Sequence, residues 1–494
     1  MKRVILSAAA ALAALTASAE GFQVNNLSSR QNGMGHVGTA MKLGAESLHF
    51  NPAAAAFQSS RFDISAGITG IKPSATFVTQ NDYSSTPLQS YDSKSGISTP
   101  LYLYFNYKPA DRVAVGVSFT TPFGSAMEWD DNWAGAHLIQ GIHLQAYQVQ
   151  PTLSVKITDR LSVGAGLTVA WGKFDLSRSM MPVGLGNLAI AGVLQSAASQ
   201  YTAAAAQAAA AGLAEQAAQY EAMAAQAAQG AQYIAPLGSS PLVSAKLKGN
   251  SGVAVGVNAG IMWDPHEQWT LGFAYRSRMN MKVSRGTAAL NYHDETVRAI
   301  LAQVNAASIA SGGSAVIPEL DRGTFATQLP LPTNLTWAAS FRPAPKWEFA
   351  VDLQWIGWSA YKDLNVSFNE PELEIDDIYS VKNYKNTLAF RFGGEYKACS
   401  TIHARMGMYV DESPVRSDYL NPETPSATKL AFTAGLTINP CSVMAIDLAY
   451  AYVATADPER TGSYPYEFNG TMMPLAGNYR IHAHTFSLGM RFHF

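Results

Sequence analysis

The chain has 494 residues, of which 48% are hydrophobic and only 14% are charged, about half of the usual charged fraction. So little charge cannot coat a typical soluble protein of this length, and the lack of repeated apolar runs of about 20 residues excludes a bundle of transmembrane helices. The formal charge of -2 gives no basic footprint for nucleic acid, and nine Trp, 22 Tyr and 21 Phe exclude intrinsic disorder.

The chain starts with the pattern of a secretory signal. Lys2 and Arg3 precede an apolar run, and Ala17-Ser18-Ala19 forms a cleavage site, so we predict a signal peptide at residues 1–19 that is removed before Glu20. An N-terminal membrane anchor is the alternative, which the shortness of the run disfavours. The exported chain has two cysteines, Cys399 and Cys441, which exclude a disulfide framework and leave a single bridge open.

Residues 20–60 are rich in Gly and Ala and show no sustained alternation. We expect a compact segment folded inside or beneath the rest of the protein. Its sequence Gly33–Gly38 matches G-x-G-x-x-G, but no buried strand precedes it, so a dinucleotide site is not expected.

From residue 61 onward, apolar and polar residues alternate, as in Phe486, Leu488 and Met490 against Ser487 and Gly489. A period of two is typical of strands whose two faces meet different environments. An even number of strands, joined alternately by short turns and long loops, is typical of an outer-membrane barrel, so we predict an all-β transmembrane barrel of about 14 antiparallel strands over residues 61–494. The predicted strands are 61–79, 95–109, 111–121, 142–157, 160–176, 243–264, 267–284, 330–343, 346–358, 384–398, 400–412, 427–440, 442–455 and 480–494.

Aromatic residues near the strand ends favour a membrane barrel over a secreted sandwich or propeller, because an aromatic girdle lies there. We expect the girdle to contain Tyr102, Tyr104, Tyr107, Trp263, Trp269, Trp347, Trp355 and Trp358. The last strand ends on Phe494, which predicts recognition by the outer-membrane barrel assembly machinery.

One insertion interrupts the strands. Residues 196–232 form an Ala/Gln tract, which predicts helices that break near Gly212 and stop near Gly230. The tract lacks large apolar residues at regular spacing, so we expect an exposed pair of extracellular helices.

The chain carries no nucleophile elbow, no H-E-x-x-H and no Walker sequence. We therefore expect no catalytic residues, metal site or cofactor. Three arginines predicted to face the lumen, Arg276, Arg391 and Arg405, either pair with buried acids or hold an anionic head group, for which a guanidinium suits a carboxylate.

Several short motifs in the sequence resemble those of a known family. In chain order they are Gly21-Phe22-Gln23, Asn51-Pro52-Ala53, Pro122-Phe123-Gly124, Trp133-Ala134-Gly135, Leu331-Pro332-Thr333 and Asp352-Leu353-Gln354-Trp355-Ile356-Gly357-Trp358-Ser359. Together they resemble the FadL-type long-chain fatty acid transporters of bacterial outer membranes. The sequence departs from the family where Ala136-His137 replaces a common Arg and where the third long loop is unusually long.

The resemblance implies a barrel plugged by an N-terminal hatch, with passive, ligand-gated uptake and release through a lateral opening near a kinked third strand. It implies gate residues at Phe22, Asn51, Pro52 and Ala53. A ligand would first bind a groove between two long loops, which lie at about 177–243 and 285–330. The apolar residues Val297, Ile300, Leu301 and Val304 are spaced as one helix face and are the candidate lining of that groove.

The sequence thus predicts an outer-membrane channel for hydrophobic compounds, most simply long-chain fatty acids. Uptake of aromatic hydrocarbons is the alternative within this class, and a general diffusion porin or a membrane-embedded lipid hydrolase are alternatives outside it. The expected partners are a hydrophobic small molecule and the lipid and lipopolysaccharide of the outer membrane. We expect the channel to act as a monomer and to bind no nucleic acid.

Overall fold

The computed structural model describes residues 21–80, 88–313, 315–318, 322–368, 378–457, 460–468 and 470–494. One antiparallel sheet closes on itself, because β1 (Phe62–Thr79) pairs with β21 (Thr471–His493) along its whole length. The predicted signal peptide lies outside the described residues.

The ring is built from 21 strand segments. Between β1 and β21 they are β2 (Ser90–Asp92), β3 (Leu101–Ala110), β4 (Val113–Glu128), β5 (Gly141–Thr158), β6 (Leu161–Ser179), β7 (Val243–Asn250), β8 (Ala254–His266), β9 (Trp269–Arg276), β10 (Met279–Tyr292), β11 (Arg322–Leu331), β12 (Asn334–Ala344), β13 (Trp347–Ile356), β14 (Asp363–Phe368), β15 (Ile378–Val381), β16 (Thr387–Lys397), β17 (Ile402–Asp411), β18 (Lys429–Cys441), β19 (Met444–Thr455) and β20 (Arg460–Phe468). The segments β2 and β20 are additions at one end, and five neighbouring spans each consist of two successive segments, from β7–β8 to β15–β16. The ring therefore has 14 spans, and the predicted fold class is confirmed.

The two ends of the ring differ. Short turns near residues 111, 159, 267, 345, 400 and 442 lie at one end, which we call the short-turn end. The other end, the long-loop end, carries the longer connections. A barrel with this asymmetry places its short turns in the periplasm.

The outer wall is apolar. Alternate residues such as Leu153, Val257 and Leu488 are exposed there, and a soluble protein does not expose so much contiguous apolar surface. Stacked aromatic rings mark both borders of this band, for example Trp269 with Phe341 near the short turns and Tyr147 with Trp171 higher up. The expected girdle needs a correction: Tyr102, Tyr104 and Trp358 are buried inside the ring instead.

Helices rise from the long-loop end. The Ala/Gln tract forms α3 (Leu185–Ala210) and α4 (Ala214–Ile234), separated at Gly212, whose positive φ of 77° suits glycine. The helix α4 continues through Gly230 rather than stopping there, because Gly230 packs against Leu194 of α3. A further helix, α5 (Glu295–Ala310), precedes β11. None of the helices in the described ranges is long and apolar enough to span a membrane.

Residues 21–60 lie inside the ring and form the hatch. They contain two single-turn helices, α1 (Ser29–Asn32) and α2 (Ser47–Phe50), and 3-10 turns at Gly44–Glu46 and Pro52–Phe57. Glycines on the inner faces of the strands let the hatch backbone approach the wall. A Cβ atom at Gly407 would lie 2.3 Å from Gly35 N, and one at Gly393 would lie 2.1 Å from Met34 O, so neither side chain fits.

Candidate functional site

The lower half of the lumen, toward the short turns, is polar and filled by the hatch. Wall side chains form direct hydrogen bonds with hatch residues around the ring: Ser65 with Glu46, Ser487 with Asn32, Tyr102 with Ser29, Ser162 with Ala53 and Ser340 with Ala40. Asp352 accepts hydrogen bonds from the backbone N–H groups of Gly38 and Thr39. The body of the hatch is therefore anchored to the wall at many points.

The predicted gate residues Asn51, Pro52 and Ala53 belong to this anchored body. The Asn51 amide donates to Thr39 O at 2.8 Å and to Ile261 O at 3.1 Å, and its side-chain oxygen accepts from Ala53 N. Asn51 thus caps the Pro52–Phe57 turn and joins it to the wall. In this closed state the three residues hold the hatch in place.

Two of the three candidate head-group arginines are paired with acids. Arg405 contacts Glu395 at 2.7 Å and Asp447 at 3.1 Å, with all three side chains fully buried, and Arg491 contacts the same Asp447 at 2.6 Å. Arg391 faces Asp411 at 3.6 Å. Arg405 therefore belongs to an ion network that braces the wall.

Arg276 is placed differently. It is the last inward residue of β9, between Asn258 and Asn334 in the register of the sheet. Among the described residues it has no acidic partner. It lies at the boundary between the polar half of the lumen and the apolar half, which begins at Met279.

The upper half of the lumen, toward the long loops, is an apolar chamber. Its inward side chains come from strands around the ring and from the long loops. They include Phe77, Phe123, Met127, Trp129, Trp133, Leu144, Phe174, Leu176, Leu247, Met279, Met281, Phe325, Leu331, Trp358, Tyr361, Leu364, Tyr384, Leu420 and Tyr479. A water-filled porin has a polar lumen, so this half of the barrel has the opposite character.

The start of the hatch reaches up into this chamber. The Phe22 ring lies 4.8 Å from the Trp358 ring and 5.7 Å from the Tyr361 ring, centroid to centroid. Gly21 packs so tightly on Trp358 that a Cβ atom would lie 2.7 Å from the indole. Unlike Asn51, Phe22 therefore lies within the apolar chamber.

The same segment pairs with β4. Val24 N donates to Pro122 O at 2.8 Å, and Gly124 N donates to Phe22 O at 3.0 Å, next to an irregularity in the β4–β5 register between Thr120 and Phe123. The hatch thus adds a short strand to the edge of β4 where that edge has lost its neighbour, since the β3–β4 ladder ends at Tyr102.

A cavity of about 460 Å³ lies at this edge. Tyr409 and Val453 line it from the lumen, while His143 and Gln145, which point outward from β5, line it from outside. Residues 96–100 and 123–127 form its two sides. The cavity therefore joins the lumen to the outer face of the wall, and Gly21, Gln23 and Val24 lie along it.

Buried polar groups lie at the long-loop end of the chamber. Lys382 forms a buried ion pair with Glu423, and Arg178, which interacts with the same Glu423, has a buried Nε atom without a hydrogen-bond partner. His137 stacks on Tyr466 at 4.1 Å, and burial, aided by Arg178, lowers the pKa of His137 to about 4. Among the described residues, these two cations thus share one carboxylate in an apolar surrounding.

The candidate groove face on α5 is closed in this structure. Val297, Ile300, Leu301 and Val304 are at most 8% exposed. They pack with Ile190 and Leu194 of α3 and with Ile234 of α4. The helices of the two long loops therefore share a core, and a groove between them requires their separation.

Comparison with known proteins decides the family. Residues 10–494 match the family described as outer membrane protein transport protein (OMPP1/FadL/TodX). The chain belongs to this family. FadL/TodX proteins are outer-membrane transport channels rather than enzymes. The predicted outer-membrane location and the predicted assignment as a transport channel are therefore confirmed.

Individual relatives of the FadL/TodX family match nearly the whole chain. A long-chain fatty acid transport protein of Escherichia coli is 23% identical over 484 residues, covering 96% of this chain and 97% of the relative. A FadL homologue of Pseudomonas aeruginosa superposes with a TM-score of 0.71 at 19% identity, covering 96% and 100% of the two chains. The toluene transporter TodX of P. putida superposes with a TM-score of 0.59 at 14% identity, covering 96% and 99%.

Within this FadL/TodX barrel, no group of three or more His, Cys, Asp or Glu residues in the described ranges could hold a metal ion. Cys399 and Cys441 are both free and exposed. Sequence reasoning missed Arg178 and Lys382. Arg178 follows Phe174 and Leu176 on the inward face of β6. The alternation of the strand, continued two residues further, would therefore have predicted that Arg178 faces the lumen.

Proposed function

We propose that this chain takes up amphipathic hydrophobic compounds with a carboxylate, long-chain fatty acids above all, through the chamber and the opening beside β4. The family places the chain among outer-membrane transporters of hydrophobic compounds. The observation that carries the finer proposal is the apolar chamber in which, within the part of the chain that the structure describes, Arg178 and Lys382 face one acid, Glu423. An alkyl tail is stabilised by the apolar wall, and a carboxylate satisfies the spare positive charge.

Arg276 supplies a second position for the head group. It lies where the chamber meets the hatch, so a carboxylate that moves down the chamber meets a cation at both ends. Arg391 and Arg405 are less suited to this role, because their acids already balance them.

Uptake of aromatic hydrocarbons is the second candidate. The Phe22, Trp358, Tyr361 and Tyr384 rings form a cluster that suits a flat apolar ligand, and TodX is a toluene transporter. Such a ligand gains nothing from the buried cations. The two candidates therefore differ in their dependence on Arg178.

Binding of labelled oleate and of labelled toluene to the purified channel separates them. We expect Arg178→Met to weaken oleate binding about tenfold or more, since a charge-assisted contact contributes about 1.5–3 kcal/mol, and to leave toluene binding unchanged. Arg112→Met, an exposed substitution near the short turns, is the matched control. Toluene binding without oleate binding in the unmodified channel would establish the aromatic alternative.

Gating is proposed to involve only the start of the hatch. Phe22 leaves the aromatic cluster when a ligand occupies it, and residues 22–24 then release the edge of β4, which opens the cavity to the membrane. The rest of the hatch, held at Asn51 and Asp352, stays in place. This sequence of events couples ligand binding to lateral release.

Hydrogen exchange at the Val24 amide measures this release. We expect Phe22→Ala to accelerate exchange about a hundredfold, because truncating a packed Phe costs about 3 kcal/mol. Saturating oleate should accelerate exchange in the unmodified channel. Phe57→Ala is the control, since Phe57 lies under Lys42 away from the chamber. Equal exchange in Phe22→Ala and in the unmodified channel, with and without oleate, would contradict gating by this segment.

A further inference from the structure

The outer wall carries a basic patch on one side, just above the upper aromatic border. Lys173 on β6, Lys248 on β7 and Lys282 on β10 all point outward and are exposed. Trp171, which stacks with Tyr147 at the membrane border, lies two residues below Lys173 on the same face. The patch therefore stands at the height of lipid head groups.

Backbone bonds bring these lysines together at the junction of β7 and β8. Ser251 N donates to Gly172 O, and Gly252 N donates to Lys282 O, each at 2.8 Å. Lys173 and Lys282 therefore flank the junction, about 10 Å apart across two strand spacings. Lys248 lies on the intervening strand β7, nearer the long loops than either, because it is opposite Asp175 and Thr287 in the register of the sheet. Asp175 is its acidic neighbour at 3.6 Å.

A second cavity, of about 550 Å³, opens on the same outer face, where the spans built from β9 to β14 are interrupted. Arg278 and Lys362 lie on its rim together with one acid, Asp363. Its other polar or aromatic lining residues are Asn280, Gln328, Thr333, Ser359 and Trp355. Amides, hydroxyls and an indole beside cations are groups that bind a sugar phosphate.

We propose that this face binds a phosphorylated glycolipid of the outer leaflet, with one phosphate at the lysine cluster and another at the cavity rim. Arg278 immediately precedes β10 and lies four residues before Lys282, which separates the two cation sites by about 13 Å. That spacing fits a sugar head group phosphorylated at both ends. The anionic surface of a membrane attracts basic residues at this height, and cations dominate this face among the described residues.

The test uses the full-length channel and native mass spectrometry in mild detergent. The probes are bisphosphorylated lipid A, its dephosphorylated form and phosphatidylglycerol. We expect the channel to retain bisphosphorylated lipid A at least about tenfold better than the other two. Lys173→Gln/Lys248→Gln/Lys282→Gln and Arg278→Gln/Lys362→Gln should each lose most of that preference.

Arg160→Gln/Lys346→Gln/Lys397→Gln, at the short-turn end, is the matched control and should retain the lipid. Oleate binding by every variant shows that the barrel has folded. Equal retention of the dephosphorylated form, equal retention of phosphatidylglycerol, or equal loss in the control triple would each overturn the assignment.

Discussion

Replacing Gly407 by valine is expected to convert the closed barrel into a conducting pore. The new Cβ atom would meet Gly35 N and the Met34 carbonyl carbon at 2.3 Å, and both are backbone atoms that cannot swing aside. Overpacking of this kind costs about 1–3 kcal/mol or more. The hatch should therefore be displaced from the wall, while the pairing of the barrel strands remains intact. Planar bilayers should show a steady current for the variant and a closed channel for the original protein.

Gly70→Val is the matched control for this experiment. Gly70 also lies in a strand, but a Cβ atom there meets nothing nearer than Ile97 Cγ2 at 3.6 Å. The control should remain closed. If Gly407→Val is closed as well, close packing of the hatch on the strand glycines is not what seals the lumen.

Arg405→Met is expected to destabilise the folded barrel by about 3 kcal/mol, because it removes the cation that Glu395 and Asp447 share and leaves each buried acid with one arginine, Arg30 or Arg491. Unfolding by guanidinium in lipid vesicles, followed by tryptophan fluorescence, measures this change. Arg276→Met should change the free energy of unfolding by less than about 1 kcal/mol, since Arg276 has no acidic partner among the described residues.

For oleate binding, the order of the two arginine variants should be reversed, with the larger effect in Arg276→Met. Folded Arg405→Met should bind oleate normally, whereas Arg276→Met should bind it more weakly. A large loss of stability in Arg276→Met, or a binding defect in folded Arg405→Met, contradicts this division of roles.

Much of the fold could be predicted from the sequence, because alternation reports directly which face of a strand a residue occupies. Phe486, Leu488 and Met490 do point outward, and the 14 spans follow from the same pattern. The alternation of apolar and polar residues does not show which groups each face of a strand contacts. Tyr102 and Tyr104 are therefore easily mistaken for girdle residues, although their hydroxyl groups bond to the hatch.

The candidate site was harder to predict, because its residues meet only in three dimensions. Arg276 and Arg405 are both inward-facing arginines on similar strands. They differ in their neighbours across the sheet, because Arg276 lies opposite asparagines whereas Arg405 forms ion pairs with buried acids. Lys382 lies between two strand segments, where no periodicity applies. The change from a polar to an apolar lumen depends on height along the barrel, which requires the register of every strand.

Gly21 and Phe494 both make contacts that belong to the closed barrel. Gly21 is wedged against Trp358 inside the chamber, and the carbonyl of Phe494 accepts hydrogen bonds from Arg61 and Phe62. An affinity tag or reporter placed directly beside Gly21 or Phe494 would therefore compete with the packing on Trp358 or with closure of the sheet. The tip between α3 and α4 at Gly212 has open space around it, so fusions for purification or surface display belong there.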